Sequence, residues 1–386
     1  MRALLFPTLG IGRLRRVYFS FDIRICRFVC VTGSSLVDEI EARIRRIARG
    51  EPGVQIGVGP YTDWLLPVLL TNSPIILPRG GNMRHYASAL ASSAIGLMGL
   101  AGLNRLLRAR AERRHPPAGA FIYVEGTRLH YIERGQGAPI VLIHGSGSLL
   151  QDFCVSGLVD RLSRSHRVLA FDRPGYGYSD RPGGVDWTPE HQAAVFVKAC
   201  AGLGAERPTV IGHSWGTLPV LAWALNHPDQ INRIALLSGY FYPTVRPDAA
   251  LTAVMGSPVV GDAFAHTLLP LQARLTGPLG NRMIFSPASP TPAFMEEMPF
   301  GLMLRPGQLH STAQDSGQMP AAAARLSRRY SELSIPMAII WGDEDKLVDQ
   351  GNQSAKLAIH LPHAIAEGLE GVGHMVHHTE TERVAR

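Results

Sequence analysis

The sequence predicts an α/β fold, a mostly parallel, doubly wound sheet with helices on both faces. Short runs that are almost wholly apolar recur at 140–143, 168–171, 209–211, 234–237 and 337–341. Stretches of helical pattern separate the early ones, and strands apolar on both faces belong to a parallel sheet that is covered on both sides. Loops rich in glycine and polar residues come directly after these runs, at the carboxyl ends of the strands, where such sheets carry their chemistry.

Composition narrows the function classes. A chain of 386 residues can bury a large core and has room for two domains. Its net charge of +7 suggests an anionic partner until it is divided along the chain. Residues 1–118 hold 17 arginines, no lysine and 7 acidic residues, whereas the remainder holds 21 basic and 24 acidic residues. The basic character belongs to the N-terminal third, and the rest shows no nucleic-acid footprint. Cys26, Cys30, Cys154 and Cys200 give neither a disulfide framework nor paired Cys-x-x-Cys ligand sites, so they read as buried thiols.

Residues 1–82 do not fit the alternation. Ser34 or Ser35 can cap a helix over 36–48, where Leu36, Val37, Ile40, Ile44 and Ile47 share one face. Pro60, Pro67, Pro74 and Pro78 cut the rest of this region into apolar pieces too short to span a bilayer. Met83-Arg84-His85 reads as a second start, so 1–82 is expected to be a dispensable leader. Residues 86–103 then run 18 positions without a charge into Arg105, Arg108, Arg110, Arg113 and Arg114. That length is the lower limit for a transmembrane helix, and the arginines would keep the downstream domain on the cytoplasmic side. The expectation is a membrane anchor at 86–103, with Gly96, Gly99 and Gly102 open to close helix approach. His115-Pro116-Pro117-Ala118-Gly119 is a linker by composition, which ends this segment at 118 and starts the main domain at 119–386.

Within that domain, 121–124 and 128–132 form a hairpin about Glu125-Gly126. The strand at 140–143 runs into His144-Gly145-Ser146-Gly147, and helical pattern continues to about residue 163. The strand at 168–171 ends in Asp172-Arg173-Pro174-Gly175-Tyr176-Gly177-Tyr178-Ser179. A helix at 189–203 precedes the strand at 209–211, which meets Gly212-His213-Ser214-Trp215-Gly216 and a further apolar helix. After 234–237 the alternation stops, and an insertion rich in Met, Phe, Leu and Pro, from about 241 to 333, is expected to cap the site. The strand at 337–341 ends in Gly342-Asp343-Glu344-Asp345, and Gly371-Val372-Gly373-His374 ends another short run. Twelve residues come after His374, so a short last helix is expected.

A serine hydroxyl becomes a useful nucleophile only with a base beside it and a backbone that projects it from the fold. A sharp strand-to-helix turn projects it, and glycines at 212 and 216 remove the Cβ atoms that would collide there. The turn also aims the N–H of Trp215 at the place where an oxyanion forms. The downstream order of serine, acid and histidine matches one known chain order for a catalytic triad.

Four landmarks stand in order: His144-Gly145, the Asp-x-Pro-Gly-x-Gly-x-Ser segment at 172–179, the turn around Ser214, and Gly342-x-x-Asp345 with Gly373-His374. On these the chain from about 121 to the end resembles the α/β-hydrolase fold superfamily, in particular its small serine esterase and haloperoxidase-like members. The resemblance implies Ser214 as nucleophile, Asp345 as acid, His374 as base, and the backbone N–H groups of Ser146 and Trp215 as oxyanion hole. Its Gly-x-x-Asp spacing selects Asp345 over Asp343, Glu344 and Asp349, and its Gly-x-Gly-His context selects His374 over His377 and His378. His213 is expected to pack beneath the turn, His144 to brace its own loop, and Asp172 to tie down the turn at Gly175-Tyr176-Gly177.

Serine at 214 separates the chain from relatives with an aspartate nucleophile, the haloalkane dehalogenases and epoxide hydrolases. The expected function is hydrolysis of a small or medium apolar carboxylic ester through an acyl-enzyme, on a small-molecule substrate, with no metal or organic cofactor. The same residues would also serve a carbon–carbon bond hydrolase, an aminopeptidase, or an acyltransferase, peroxide included as acceptor. A non-catalytic binding protein on this fold usually lacks a member of the triad.

Overall fold

The computed structural model describes residues 83–245 and 249–386. The leader expected at 1–82, its helix at 36–48 included, lies outside these residues. The chain divides after Ser92, and the unit Ser93–Arg386 holds the sheet and its loops.

Eight strands form one sheet: β1 (Ala120–Val124), β2 (Thr127–Arg134), β3 (Pro139–Ile143), β4 (Arg167–Phe171), β5 (Thr209–His213), β6 (Arg233–Leu237), β7 (Met337–Gly342) and β8 (Ile365–Leu369). Their order is β1-β2-β4-β3-β5-β6-β7-β8. β2 is antiparallel to β1 and to β4, and all pairs from β4 across to β8 are parallel. Ile143 pairs with Phe171 and with Gly212, His213 with Leu237, Leu237 with Ile340, and Gly342 with Leu369. That register brings the carboxyl ends of β3 to β8 to one edge of the sheet. The loops that carry His144, Asp172, Ser214, Asp345 and His374 all leave from it.

The uninterrupted apolar strands are explained by burial on both faces. Val141, Ile143, Leu169, Phe171 and Val210 pack on one side with Phe196, Leu221 and Trp223. Ile140, Leu142, Val168, Ala170 and Ile211 pack on the other with Phe153, Leu158, Leu162 and Val376. Neighbouring residues of a strand point to opposite faces, so each face claims every second side chain.

In chain order, the helices before β6 are α1 (Met83–Arg114), α2 (Gln151–Val155), α3 (Leu158–Leu162), α4 (Pro189–Gly202) and α5 (Thr217–Asn226). Thr188 caps α4 by accepting from the His191 N–H at 3.2 Å, with Pro189 in the first turn, where its missing N–H costs nothing. Between β6 and β7 lie α6 (Ala249–Met255), α7 (Val260–His266), α8 (Leu269–Phe285), α9 (Pro292–Glu297), α10 (Phe300–Met303) and α11 (Pro306–Ser327), a helical insertion over the carboxyl edge. After β7 come α12 (Lys356–His360), α13 (Val376–Thr379) and α14 (Thr381–Val384). The last two are single turns, held by Val376 and Val384 in the second core face.

The membrane anchor expected at 86–103 finds no support as a span. Among the described residues, no helix is long and apolar enough to cross a membrane. The stretch lacks charge, but Ser88, Ser92 and Ser93 and many Ala and Gly positions replace the Leu, Ile and Val that favour insertion. The helix also runs on through the arginines to Arg114. Its later turns pack within the unit: Asn104 Nδ2 donates to the carbonyls of His266 and Thr267 at 3.0 and 2.9 Å, and Ala111 is buried with Leu149 and Leu302. A Cβ at Gly96, Gly99 or Gly102 would meet nothing within 4 Å, so no helix crosses them among the described residues.

Leu142 is wholly buried at the centre of the sheet, opposite Ala170 and Ile211. Leu142→Ala should lower the free energy of unfolding by about 2–5 kcal/mol, read by urea titration with an unchanged slope.

Candidate active site

β5 ends at His213, and Ser214 takes φ +52°, the left-handed region that a side chain adopts only where the surroundings force it. One 3₁₀ turn, Ser214–Gly216, then enters α5, and Thr217 Oγ1 closes the turn by donating to the Ser214 carbonyl at 2.7 Å. A Cβ on Gly212 would lie 2.6 Å from the carbonyl oxygen of Gly216, and one on Gly216 would lie 2.3 Å from that of Ile143. Glycine is required at both positions. A Cβ on Gly145 would stand 3.1 Å from Ser214 Cβ, so the loop that carries Ser146 runs beside the serine. Ser146 is exposed and Trp215 buried.

Asp345 and His374, from the ends of β7 and β8, meet directly. His374 Nδ1 lies 2.6 Å from Asp345 Oδ2, which also accepts from Gln350 Nε2 at 2.7 Å. Asp345 Oδ1 accepts the N–H groups of Leu347 and Val348 at 2.8 and 3.0 Å. Burial works to raise the Asp345 carboxyl, but the bonds from His374 and Gln350, the charge of His374 and the Val348 N–H outweigh it. The group is held below the usual carboxylate range. Asp343, Glu344 and Asp349 make no such contact with His374 among the described residues. Nor does the Ser214 hydroxyl hydrogen-bond to His374 among them, a contact that is often loose in unliganded enzymes.

The neighbouring polar groups hold the loops. His144 Nδ1 donates to the Gly145 carbonyl at 2.8 Å, and its Nε2 accepts the Arg173 N–H at 3.0 Å. Burial, with the charge of Arg173 beside it, pushes His144 down to about 4, so it braces two loops as a neutral ring. Asp172 accepts from His130 Nδ1 at 2.7 Å and from the N–H groups of Leu150 and Tyr178 at 2.9 Å each. Its carboxylate fills the space a Cβ of Gly177 would need, which ties down that turn.

His213 lies beneath the turn, its Nε2 3.1 Å from the His374 carbonyl oxygen. Burial, then the charges of His377 and His374, hold His213 well below its ordinary value, so it is neutral and donates from this nitrogen. Asp152, His213 and His377 have ligand atoms within 4.8 Å of one another, and all three are buried. A zinc shell with bonds of about 2.0–2.1 Å needs ligand atoms about 3.3 Å apart, and the other Asp152 oxygen is already taken by His378 Nε2 at 2.7 Å. Burial opposes ionisation of Asp152, but the charge of His377 close by and the hydrogen bond and charge of His378 prevail and hold it well below the carboxylate range. The cluster fits a buried carboxylate and its histidine partners better than a metal shell.

Two insertion residues that sequence patterns did not single out anchor the cap. Asp315 of α11 is wholly buried, with Oδ2 2.6 Å from Arg173 Nη1 and 2.9 Å from Tyr176 Oη, and Oδ1 2.9 Å from Arg181 Nη2. Its carbonyl accepts Trp215 Nε1–H at 3.0 Å. Arg173 stacks on the rings of Trp215 and Tyr176, 4.2 and 4.3 Å from the centroids. Gln308 accepts the Gly177 N–H and donates to the Ser148 carbonyl, both at 3.0 Å. The signal for Asp315 was present as the lone acid of a 22-residue helix, but its side-chain partners lie more than 130 positions away.

A cleft of about 810 Å³ is lined by Tyr178, Arg181, Trp187, Arg305, Gln308 and Ser311 among others, and by none of Ser214, Asp345 or His374. Its size does not make it the candidate site, because it touches neither the Ser214 turn nor the Asp345–His374 pair. Above the His374 loop, Met375 is buried with Phe285, Phe294 and Met298 of the insertion.

Fold and site together define an α/β enzyme whose loops converge on one strand-end edge. A family model described as alpha/beta hydrolase fold matches residues 138–381, well over half of the chain, and the protein belongs to that family. It is 27% identical over 285 residues to a 2-hydroxymuconate semialdehyde hydrolase of Pseudomonas putida, covering 72% of this chain and 94% of the relative. It is 25% identical over 276 residues to a cis-3-alkyl-4-alkyloxetan-2-one decarboxylase of Shewanella oneidensis, covering 66% and 82% of the two chains. Among solved structures, an alpha/beta hydrolase fold protein of Burkholderia ambifaria superposes with a TM-score of 0.58 at 22% identity, over 70% of this chain and 96% of the other.

Asp315→Ala would leave Arg173, itself wholly buried, without its carboxylate. We expect a loss of about 3–5 kcal/mol in urea unfolding, the cost of an uncompensated buried charge.

Proposed function

We propose that the protein is a serine hydrolase that cleaves a small or medium apolar carboxylic ester through an acyl-enzyme. The observation that carries this is the 2.6 Å contact between His374 and Asp345 at the same sheet edge as the strained Ser214 turn. Ser214 Oγ attacks the ester carbonyl as His374 Nε2 takes its proton. Asp345 fixes the tautomer by accepting from Nδ1–H and stabilises the imidazolium. The N–H groups of Ser146 and Trp215 receive the developing oxyanion, and Trp215 is steadied by the bond from its indole to Asp315 and by the Arg173 stack. His374 then protonates the leaving alcohol, and water, activated by the same ring, releases the acid.

A second reading is favoured by the 2-hydroxymuconate semialdehyde hydrolase relative, which the chain covers almost in full. There the same serine and histidine would cleave a carbon–carbon bond next to a carbonyl.

Fluorophosphonate labelling tests the nucleophile. Wild-type protein should label at Ser214, Ser214→Ala should not, and a folded wild type that stays unlabelled would end the proposal. On aryl esters, His374→Ala should lower kcat at least about 10⁴-fold, and Asp345→Asn by a smaller but still large factor. A panel of aryl esters of rising acyl length, amino-acid arylamides and a ring-cleavage diketone separates the substrate classes. Turnover confined to the diketone would replace the ester reading with the second one.

A further inference from the structure

Beneath the Asp345–His374 pair lies a second buried carboxylate that the ester mechanism does not use. Asp152 stands in the first turn of α2, directly after the loop that carries Ser146, and is 1% exposed. His378 Nε2 is 2.7 Å from its Oδ1, and His377 Nε2 is 3.2 Å from its Oδ2. Both histidines belong to α13, which leaves the His374 loop. The His377 ring stacks 4.3 Å from that of His213, and the His213 ring lies 4.9 Å from that of His374. A column of polar groups thus runs from the oxyanion-loop side of the site, under the Ser214 turn, to the base. A dry, ionised carboxylate costs several kcal/mol to desolvate, and apolar packing would close the same space at less cost. What it adds is a directional polar contact across two segments that otherwise meet through apolar packing, Phe153 against the His377 ring and Val376.

We propose that Asp152 is a positioning residue for His374: through His378 and His377 it holds the base loop in register with the oxyanion loop. The idea rests on the serine-hydrolase reading. Loosening the contact displaces the imidazole relative to Ser214 and the leaving oxygen while the substrate still binds. Proton transfer from Ser214 and from water then suffers on every ester, and delivery to an alkyl leaving group suffers in addition.

The test compares two esters of one acyl group, an aryl ester whose leaving group departs as the anion and an alkyl ester whose alcohol must be protonated by His374. Asp152→Asn and His378→Ala should each lower kcat on the alkyl ester about 10²-fold, the scale of a displacement near 1 Å, and on the aryl ester by a smaller factor. KM should change little. His378→Gln, whose side-chain amide can still donate to Asp152, should keep most of the activity. Equal losses on both esters would reduce the contact to a structural one, and wild-type kcat in Asp152→Asn would dismiss it. If circular dichroism shows Asp152→Asn unfolded, the contrast between His378→Ala and His378→Gln decides the matter. Ser214→Ala, run in parallel, keeps the two proposals apart. Full activity there ends the serine mechanism, whereas an inactive Ser214→Ala beside a wild-type-like Asp152→Asn ends only the positioning role.

Discussion

The contact on which the rest depends is the approach of the α5 entrance to the end of β3, where the carbonyl oxygen of Ile143 sits in the space a Cβ of Gly216 would fill. Only glycine allows it, and it brings the Ser214 turn against the loop that begins at His144. Parallel pairing of β3 with β5 supplies the lateral spacing, and the glycines remove the last obstacle to closing it. The left-handed backbone of Ser214 results from this closeness, because the chain has one turn in which to pass from strand to helix.

Around that contact the protein uses buried charge where apolar packing alone would give less directional control. Arg173 and Asp315, both fully buried, join the 172–179 loop to α11, and the backbone of Asp315 receives the Trp215 indole. Such pairs add little net stability because each partner must be desolvated, but they fix where the insertion sits. Gln308 does the same with neutral bonds to Gly177 and Ser148. The insertion therefore touches the Ser214 turn, the 172–179 loop and the loop that carries Ser146 at once, and its position and theirs are one arrangement.

How far the residues alone could be read depends on the range of the interactions. The strands were legible because a run buried on both faces has to be apolar throughout. The turns were legible because glycine at 212, 216 and 177 answers local steric demands. Asp345 and His374 were legible as motif positions through the resemblance, and their contact is carried by two neighbouring strands, β7 and β8. The run at 86–103 lacks charge as a span would, but its Ala, Gly and Ser positions make it too weakly apolar to cross a membrane.

By itself, the sequence determined the period of the sheet, the loops that leave its carboxyl edge and the residue types able to do chemistry there, since these depend on contacts within a few positions. Only the tertiary structure decided that Asp315 secures the cap to Arg173, that Gln350 shares the Asp345 carboxylate with His374, and that Asp152 lies against His377 and His378. For Asp315 and Asp152, side chains more than a hundred positions apart are brought within 3.2 Å by the packing of whole elements, and no local pattern of residues encodes that distance.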